Sequence, residues 1–195
     1  MKILAFADVH GSQEALDRII AKSSNADVLL CAGDLSNFEH GLHKMLGKLA
    51  QCHRLLIIIP GNHEGEELLR DECARFEGIV YLHRGLYRLG DVCFVGYGGG
   101  GFSEVDRDFE NFVKKARGHM EGKVVLVTHA PPYGTKLDKI YGEARGCKSI
   151  RDFIIAQKPV LAVSGHLHEN DGVEDYIGKT HLINPGKKGR ILFVQ

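Results

Sequence analysis

Short apolar runs alternate with longer amphipathic segments through the first two-thirds of the chain. Ile3–Ala7 reads as a buried strand, and Ser12 can N-cap a helix reaching Ser23 or Ser24, with Ala15, Leu16, Ile19 and Ile20 on its inner face. Val28–Ala32 is the next strand, followed by a helix expected from about Phe38 to Ala50. Leu55–Ile59 is a third strand, stopped by Pro60-Gly61, and Glu64–Phe76 can be helical. Near-continuous apolar strands separated by helices predict parallel pairing, with the sheet buried on both faces.

After Gly78 the rhythm changes. Ile79–Leu82, Leu86–Leu89 and Val92–Tyr97 read as shorter strands of more antiparallel character. A helix over Asp106–Arg117, the strand Val124–Thr128, a helix over Ser149–Gln157 and the strand Val160–Val163 follow. Strands with Gly- and Pro-containing turns are expected from Gly172 to Gln195. No repeat, low-complexity tract or linker divides the chain, so residues 1–195 are expected to form a single α/β domain.

The strand exits carry the chemistry. The first runs into Asp8-Val9-His10, the second into Gly33-Asp34, and the third into Gly61-Asn62-His63-Glu64. Val124–Thr128 runs into His129, and Val160–Val163 into Gly165-His166-Leu167-His168. Sites of open parallel sheets lie beyond the carboxyl ends of their strands, so these exits would deliver their polar groups to one rim. Strand alternation would aim His166 and His168 into the same space. Each residue alone has an ordinary reading: Asp34 and Asn62 as turn formers, His129 as a polar loop residue, Glu64 as a helix-capping group. Those readings do not explain why every exit carries a group able to bind a metal.

Composition removes several alternatives. The 195 residues are 44% hydrophobic and 26% charged, ordinary for a globular protein with a buried core. Lys plus Arg and Asp plus Glu balance at 25 each, which disfavours a nucleic-acid-binding surface. Five scattered cysteines without a CxxC pair suit reduced thiols, and a cytoplasmic location is expected. No apolar run approaches the ~18 residues of a membrane span, and the start reads as a strand rather than a signal peptide.

Imidazole nitrogen mixed with carboxylate oxygen suits manganese, iron, zinc, cobalt or nickel. Asp8, His10, Asp34, Asn62, His129, His166 and His168 are too many donors for one tetrahedral ion. With a bridging carboxylate they fit two ions ~3.5–4 Å apart, the spacing that clamps an in-line displacement at phosphorus.

The ordered blocks Asp-x-His, Gly-Asp, Gly-Asn-His-Glu, His and Gly-His-x-His resemble the calcineurin-like metallophosphoesterases. The match spans Asp8 to His168, and "INPG" at Ile183–Gly186 resembles the compact members of that superfamily. "GCKSIRDFI" is similar, more loosely, to the small phosphodiesterase-type branch. The resemblance implies a four-layer αββα sandwich, two mixed β-sheets flanked by helices, with a dinuclear metal site at the strand ends. It implies two divalent ions, expected to be manganese with iron, zinc, cobalt or nickel as alternatives, the first on Asp8, His10, Asp34 and His168. A second would sit on Asp34, Asn62, His129 and His166, with Asp34 as the bridge. His63 would be no ligand but would donate to the phosphate or protonate the leaving group. The expected activity is hydrolysis of a small phosphate ester, a diester before a monoester, by attack of a metal-bridging hydroxide. A homo-oligomer is compatible with this reading. The other reading is a non-catalytic scaffold that keeps the fold; decay of the ligand blocks would favour it, and they are intact.

Weaker signals remain. "GYGGGG" contains a literal GxGxxG, but the next strand ends in Thr128-His129 rather than the acidic residue a dinucleotide site needs. It reads as a flexible loop or a close approach of backbone to ligand. Lys187-Lys188-Gly189-Arg190 reads as a solvated turn, and one of Lys136, Lys139, Arg145 and Lys148 could meet a phosphate. His40, His43, His53, His83, His119 and His181 fall outside the blocks.

Overall fold

The computed structural model describes Met1–Gln195. Strands β1 (Lys2–Phe6), β2 (Val28–Cys31), β3 (Leu55–Ile58) and β4 (Ile79–Tyr81) pair in parallel. Helices α1 (Gln13–Ser23), α2 (Leu42–Ala50) and α3 (Glu66–Cys73) make the crossovers that parallel pairing requires. A second sheet holds, in chain order, β5 (Gly85–Leu89), β6 (Val92–Tyr97), β7 (Lys123–Thr128), β10 (Leu161–Val163), β11 (Glu174–Ile177) and β12 (Thr180–Ile183). Between β7 and β10 lies a small hairpin of β8 (Lys139–Ile140) and β9 (Glu143–Ala144). Helix α4 (Arg107–Ala116) joins β6 to β7, and α5 (Lys148–Gln157) precedes β10. The chain finally returns to the first sheet, where β13 (Arg190–Phe193) pairs antiparallel with β1.

Strand periodicity builds the four layers. Ile3, Ala5, Val28, Leu30 and Ile57 point inward and meet Phe94, Val125, Val127, Leu161 and Ile183 of the second sheet. The alternate residues Leu4, Phe6, Leu29, Leu56 and Ile58 pack on Leu16, Ile19, Leu46 and Leu69 of the first three helices. Val95, Leu126, Ala162 and Leu182 pack on Phe109, Ile150 and Phe153 of α4 and α5. Both faces of both sheets are thus buried, which is why the strands are apolar at nearly every position. No helix is long and apolar enough to cross a membrane. All five cysteines are free thiols, and Cys31, Cys73, Cys93 and Cys147 are buried.

Three expectations need correction. The segment after Gly78 is only partly antiparallel: β5 and β6 form an antiparallel hairpin, but β4 pairs in parallel with β3 and β6 in parallel with β7. Period-two patterning marks a strand without naming its neighbour, and here the turn after Leu82 carries the chain from one sheet to the other. Helix α2 begins at Leu42 rather than near Phe38. Phe38 and Glu39 take left-handed φ values of 47° and 65°, and Phe38 has no buried face to contribute. Third, β10 ends at Val163, so His166 and His168 lie beyond the strand, and His166 turns with φ 73°. Strand alternation therefore does not orient this pair, although Leu167 between them is buried.

Two strand exits crowd so tightly that only glycine fits. A Cβ on Gly61 would lie 1.9 Å from Asp34 Oδ1, and one on Gly165 would lie 2.7 Å from both Ala7 Cβ and Asp8 Oδ2. Gly61→Ala should therefore push the Asp34 carboxylate aside and cost about 1–3 kcal/mol. Urea denaturation and metal titration would show both losses together. An alanine variant with unchanged stability and metal uptake would refute the close-contact account.

Candidate metal centre

The exits of β1, β2, β3, β7 and β10 meet at one rim between the two sheets. Their backbones are tied before any side chain acts: Asp8 N donates to Gly33 O at 3.1 Å, His10 N to Asp34 O at 2.9 Å, and Gly165 N to His129 O at 3.0 Å. Asp8, His10, Asp34 and His166 all sit at positive φ, between 47° and 73°. Non-glycine residues held there store strain of roughly 1–3 kcal/mol each, which persists where surrounding structure over-determines it. Strain gathered on four of the seven expected ligands marks a site rather than a set of turns.

The cluster runs from a buried floor to an open mouth. Asp8, Asp34 and His129 are buried, His10, His63 and His166 are half-buried, and Asn62 and His168 are exposed. Asp34 is central, with Oδ2 lying 3.6 Å from His10 Nε2 and 3.4 Å from His129 Nε2. Its other oxygen, Oδ1, accepts the His63 N–H at 2.9 Å. Asn62 Oδ1 lies 3.0 Å from His129 Nε2 and 2.9 Å from His166 Nδ1. Across the mouth, His10 Nε2 and His168 Nε2 are 2.9 Å apart, and His168 Nε2 is 3.8 Å from Asp8 Oδ1. The structure thus brings all seven expected ligands and His63 together.

The donor chemistry fits cations. Two imidazole nitrogens facing each other share at most one proton, whereas a cation between them would accept both lone pairs. His129 Nδ1 donates to Ala32 O at 2.8 Å, which leaves Nε2 as the nitrogen turned to the cluster. A ring N–H tied to a backbone carbonyl is the usual support of a metal-binding histidine. His166 Nε2 is buried with no hydrogen-bond partner, while its Nδ1 faces Asn62.

Protonation follows from these neighbours. Burial pushes the Asp8 carboxyl up to about 6, against the opposing charges of His129 and His168 and the His166 N–H. Burial also acts on Asp34, but the hydrogen bond and charge of His129, the His63 N–H and the His10 charge outweigh it and hold the group at about 2. His166 is lowered to about 4 by burial and the charge of His129, and burial likewise lowers His10. Burial works against a charged His129, but Asp34 beside it more than compensates and raises it. Near neutral pH, therefore, Asp34 is anionic and His10 and His166 carry free lone pairs, the states a cation needs.

Glu64 is not a helix-capping residue. It precedes α3, is buried, and points back beneath the site, where Oε2 accepts from Asp34 N and Gly61 N at 3.0 Å each. Its Oε1 accepts from Ser36 N at 2.7 Å and Ser36 Oγ at 3.1 Å. One carboxylate thus fastens the exit of β2 to the exit of β3. Nothing in helical periodicity announces this role, because the Asp34 and Ser36 donors come from a loop about thirty residues away. Asn37 was also missed: its Oδ1 lies 3.1 Å from His63 Nδ1, fixing that ring.

The basic candidates lie elsewhere. Arg145 and Lys148 pair with Glu143 and Glu104, and Lys136 and Lys139 are exposed. Within the Lys187–Arg190 turn, Lys188 O and Gly189 O accept from Lys22 Nζ at 2.7 and 3.0 Å, and Arg190 pairs with Glu174. The glycine run does make a close backbone approach, but to protein: a Cβ on Gly98 would meet Pro60 O at 2.3 Å, and Gly99 N donates to that oxygen at 2.8 Å.

Two facing mixed sheets with carboxylates, an amide and imidazoles gathered at their strand ends make a site able to hold cations. The chain belongs to the calcineurin-like phosphoesterase family, whose sequence model matches residues 1–170. It is therefore a metal-dependent hydrolase of phosphate esters, of a family that uses divalent cations. An uncharacterized protein of Methanocaldococcus jannaschii is 29% identical, with 99% of this chain and 91% of that protein covered. Among solved structures, TT1561 of Thermus thermophilus superposes with a TM-score of 0.79 at 16% identity, covering 96% of this chain and 89% of that one. The phosphopantetheinyl hydrolase of Mycobacterium tuberculosis gives 0.67 at 16% identity, covering 100% and 96%. These two likenesses concern the fold.

Glu64→Gln places an amide N–H₂ against backbone donors and should cost about 2–3 kcal/mol, with weaker metal retention. Chemical denaturation and metal analysis of the purified variant measure both; wild-type values would remove Glu64 from its bracing role. Asp8 supplies a pH test. Its raised carboxyl favours folding of the metal-free protein fully below the ordinary value of 3.8, and that contribution is lost as pH rises through about 6. Asp8→Asn should then raise the metal-free melting midpoint at pH 8 by a few degrees, with little gain at pH 4, while abolishing stabilisation by manganese. An equal shift at both pH values would contradict the buried-charge explanation.

Proposed function

We propose that the protein is a dinuclear phosphodiesterase acting on a small phosphate ester, with Asp34 bridging two divalent cations. The position of Asp34 between His10 and His129 carries this reading. Asp8, His10, Asp34 and His168 would hold one ion, and Asp34, Asn62, His129 and His166 the other. The grouping Asp8–His10–His168, within 4.8 Å, supports the first set, while Asp8–Asp34–His129 and His10–Asp34–His63 place Asp34 where the two sets meet. Mixed nitrogen and oxygen donors suit manganese, iron, zinc, cobalt or nickel, and manganese is the ion proposed here.

Such a pair of cations would supply an activated water near neutral pH and share the charge that builds on the phosphate oxygens during in-line displacement. Around them the chain's own groups orient and transfer protons. Asn62 contributes a neutral oxygen, so the centre stays electropositive enough to draw an anionic ester. His63, turned by Asn37 and set edge-on to His10 with ring centroids 4.7 Å apart, is placed to donate to the phosphate or protonate the leaving group. Diesters are favoured over monoesters because the ion pairs of the cluster are imidazole–carboxylate contacts among its own members. With no Arg or Lys in those pairs to meet a second negative charge, a singly charged diester suits the site better than a dianion.

Asp34→Asn removes the bridging charge and should lower diester hydrolysis at least about 100-fold, with bound metal falling below two ions per chain. Turnover of an aryl phosphodiester with added manganese, measured beside metal content, tests both. A variant at the wild-type rate would rule out this centre, and monoester turnover without diester turnover would reverse the substrate assignment.

A further inference from the structure

Two phenyl rings stand at the mouth of the centre without belonging to any core. Phe38 is 67% exposed and Phe102 is 63% exposed, and neither joins the buried apolar clusters. Isolated surface phenylalanines are ordinary. These two differ in what they touch: the Phe38 ring lies 4.4 Å from the His63 ring, and the Phe102 ring 4.9 Å from the His166 ring. The rings continue inward, His63 to His10 at 4.7 Å on one side and His166 to His129 at 5.1 Å on the other. A phenyl group therefore extends the imidazole wall outward on each flank.

Both rings are held by backbone rather than by burial. Phe38 adopts a left-handed φ of 47° beside the Asn37–His40 bridge, and Asn37 is the residue that orients His63. Phe102 follows the glycine run, whose base is fastened to Pro60, directly before Gly61 and Asn62. Strained or crowded backbone that exposes an aromatic face to water gains nothing from the hydrophobic effect unless something covers it.

We infer that Phe38 and Phe102 form a two-sided aromatic rim that receives a flat aromatic group of the substrate, so that the substrates are phosphate esters of a nucleoside or a similarly planar group. The inference rests on the phosphoesterase function proposed above. It adds selection of the ester group, which the metal ligands do not provide. Phe38, next to His63, faces the departing group, and Phe102, next to His166, faces the group that stays on phosphorus. A flat π-surface stacks against phenyl whatever its hydrogen-bonding edge, so the rim selects a class of substrate rather than one base.

Calorimetric titration of the manganese-loaded protein with adenosine 5′-monophosphate, ribose 5-phosphate and octyl phosphate tests this. The adenosine compound should bind about tenfold more tightly than ribose 5-phosphate. Phe38→Ala and Phe102→Ala should each lose much of that preference, and Phe38→Tyr should keep it. Because both rings are exposed, thermal midpoints should stay near wild type and separate lost stacking from misfolding. Equal binding of the adenosine and ribose compounds, octyl phosphate as tight as the adenosine compound, or alanine variants with the preference intact would each overturn the aromatic rim. Binding of ribose 5-phosphate with no adenosine preference sinks the rim alone. Binding of neither sugar phosphate also overturns the rim, and it sinks the phosphoesterase proposal with it only if the aryl phosphodiester is not hydrolysed either.

Discussion

Two aspartate carboxylates are buried at the seam between two sheets, and the structure around them answers that constraint. An ionised group taken out of water needs compensation in hydrogen bonds or opposite charge. Asp8 and Asp34 find it differently. Asp34 draws on the hydrogen bond and charge of His129 and on the His63 N–H, and its carboxyl falls to about 2. Asp8 takes the His166 N–H on both oxygens, but burial still lifts it to about 6. The polypeptide alone therefore leaves Asp8 less compensated than Asp34, and a bound cation would add positive charge beside it.

Holding the carboxylates there required backbone concessions. Four expected ligands lie in the left-handed region, and Gly61 and Gly165 leave out side chains where neighbouring exits touch. These costs are borne by a core with both faces of both sheets covered, whose apolar layers are indifferent to what happens at the rim. Glu64 converts that rigidity into positional accuracy. By accepting from Asp34, Ser36 and Gly61 it makes two strand ends one body, so the central carboxylate and Asn62 share a reference frame.

The site and fold were legible to different degrees, for physical reasons. That Asp8, His10, Asp34, Asn62, His63, His129, His166 and His168 would gather at one rim was readable because each lies within a few residues of the end of an apolar run, and strand ends of parallel sheets converge. Ser12 as N-cap was readable from local chemistry, and its Oγ does accept from Ala15 N at 3.3 Å. Glu64 was misread because two of its partners, Asp34 and Ser36, are sequence-distant donors, and a carboxylate near a helix start is equally compatible with helix capping. The start of α2 was misplaced because Phe38 carries an apolar side chain that faces the site instead of the core. The pairing of β4 and β6 was misjudged because alternation reports burial, not the neighbouring strand.

The sequence by itself determined the alternation of strands and helices, the doubly buried sheets and the set of polar groups delivered to one rim. Those properties depend on local periodicity and on side-chain chemistry at fixed points along the chain. Only the tertiary structure decided that β4 stays with the first sheet, that Glu64 braces the second and third exits, and that Phe38 and Phe102 flank the mouth. It also decided that His166 and His168 face different partners, Asn62 and His10, because the chain turns at φ 73° after β10 instead of continuing as a strand. Each of these depends on contacts between residues far apart in sequence, and the energy of such a contact exists only once both segments are in place.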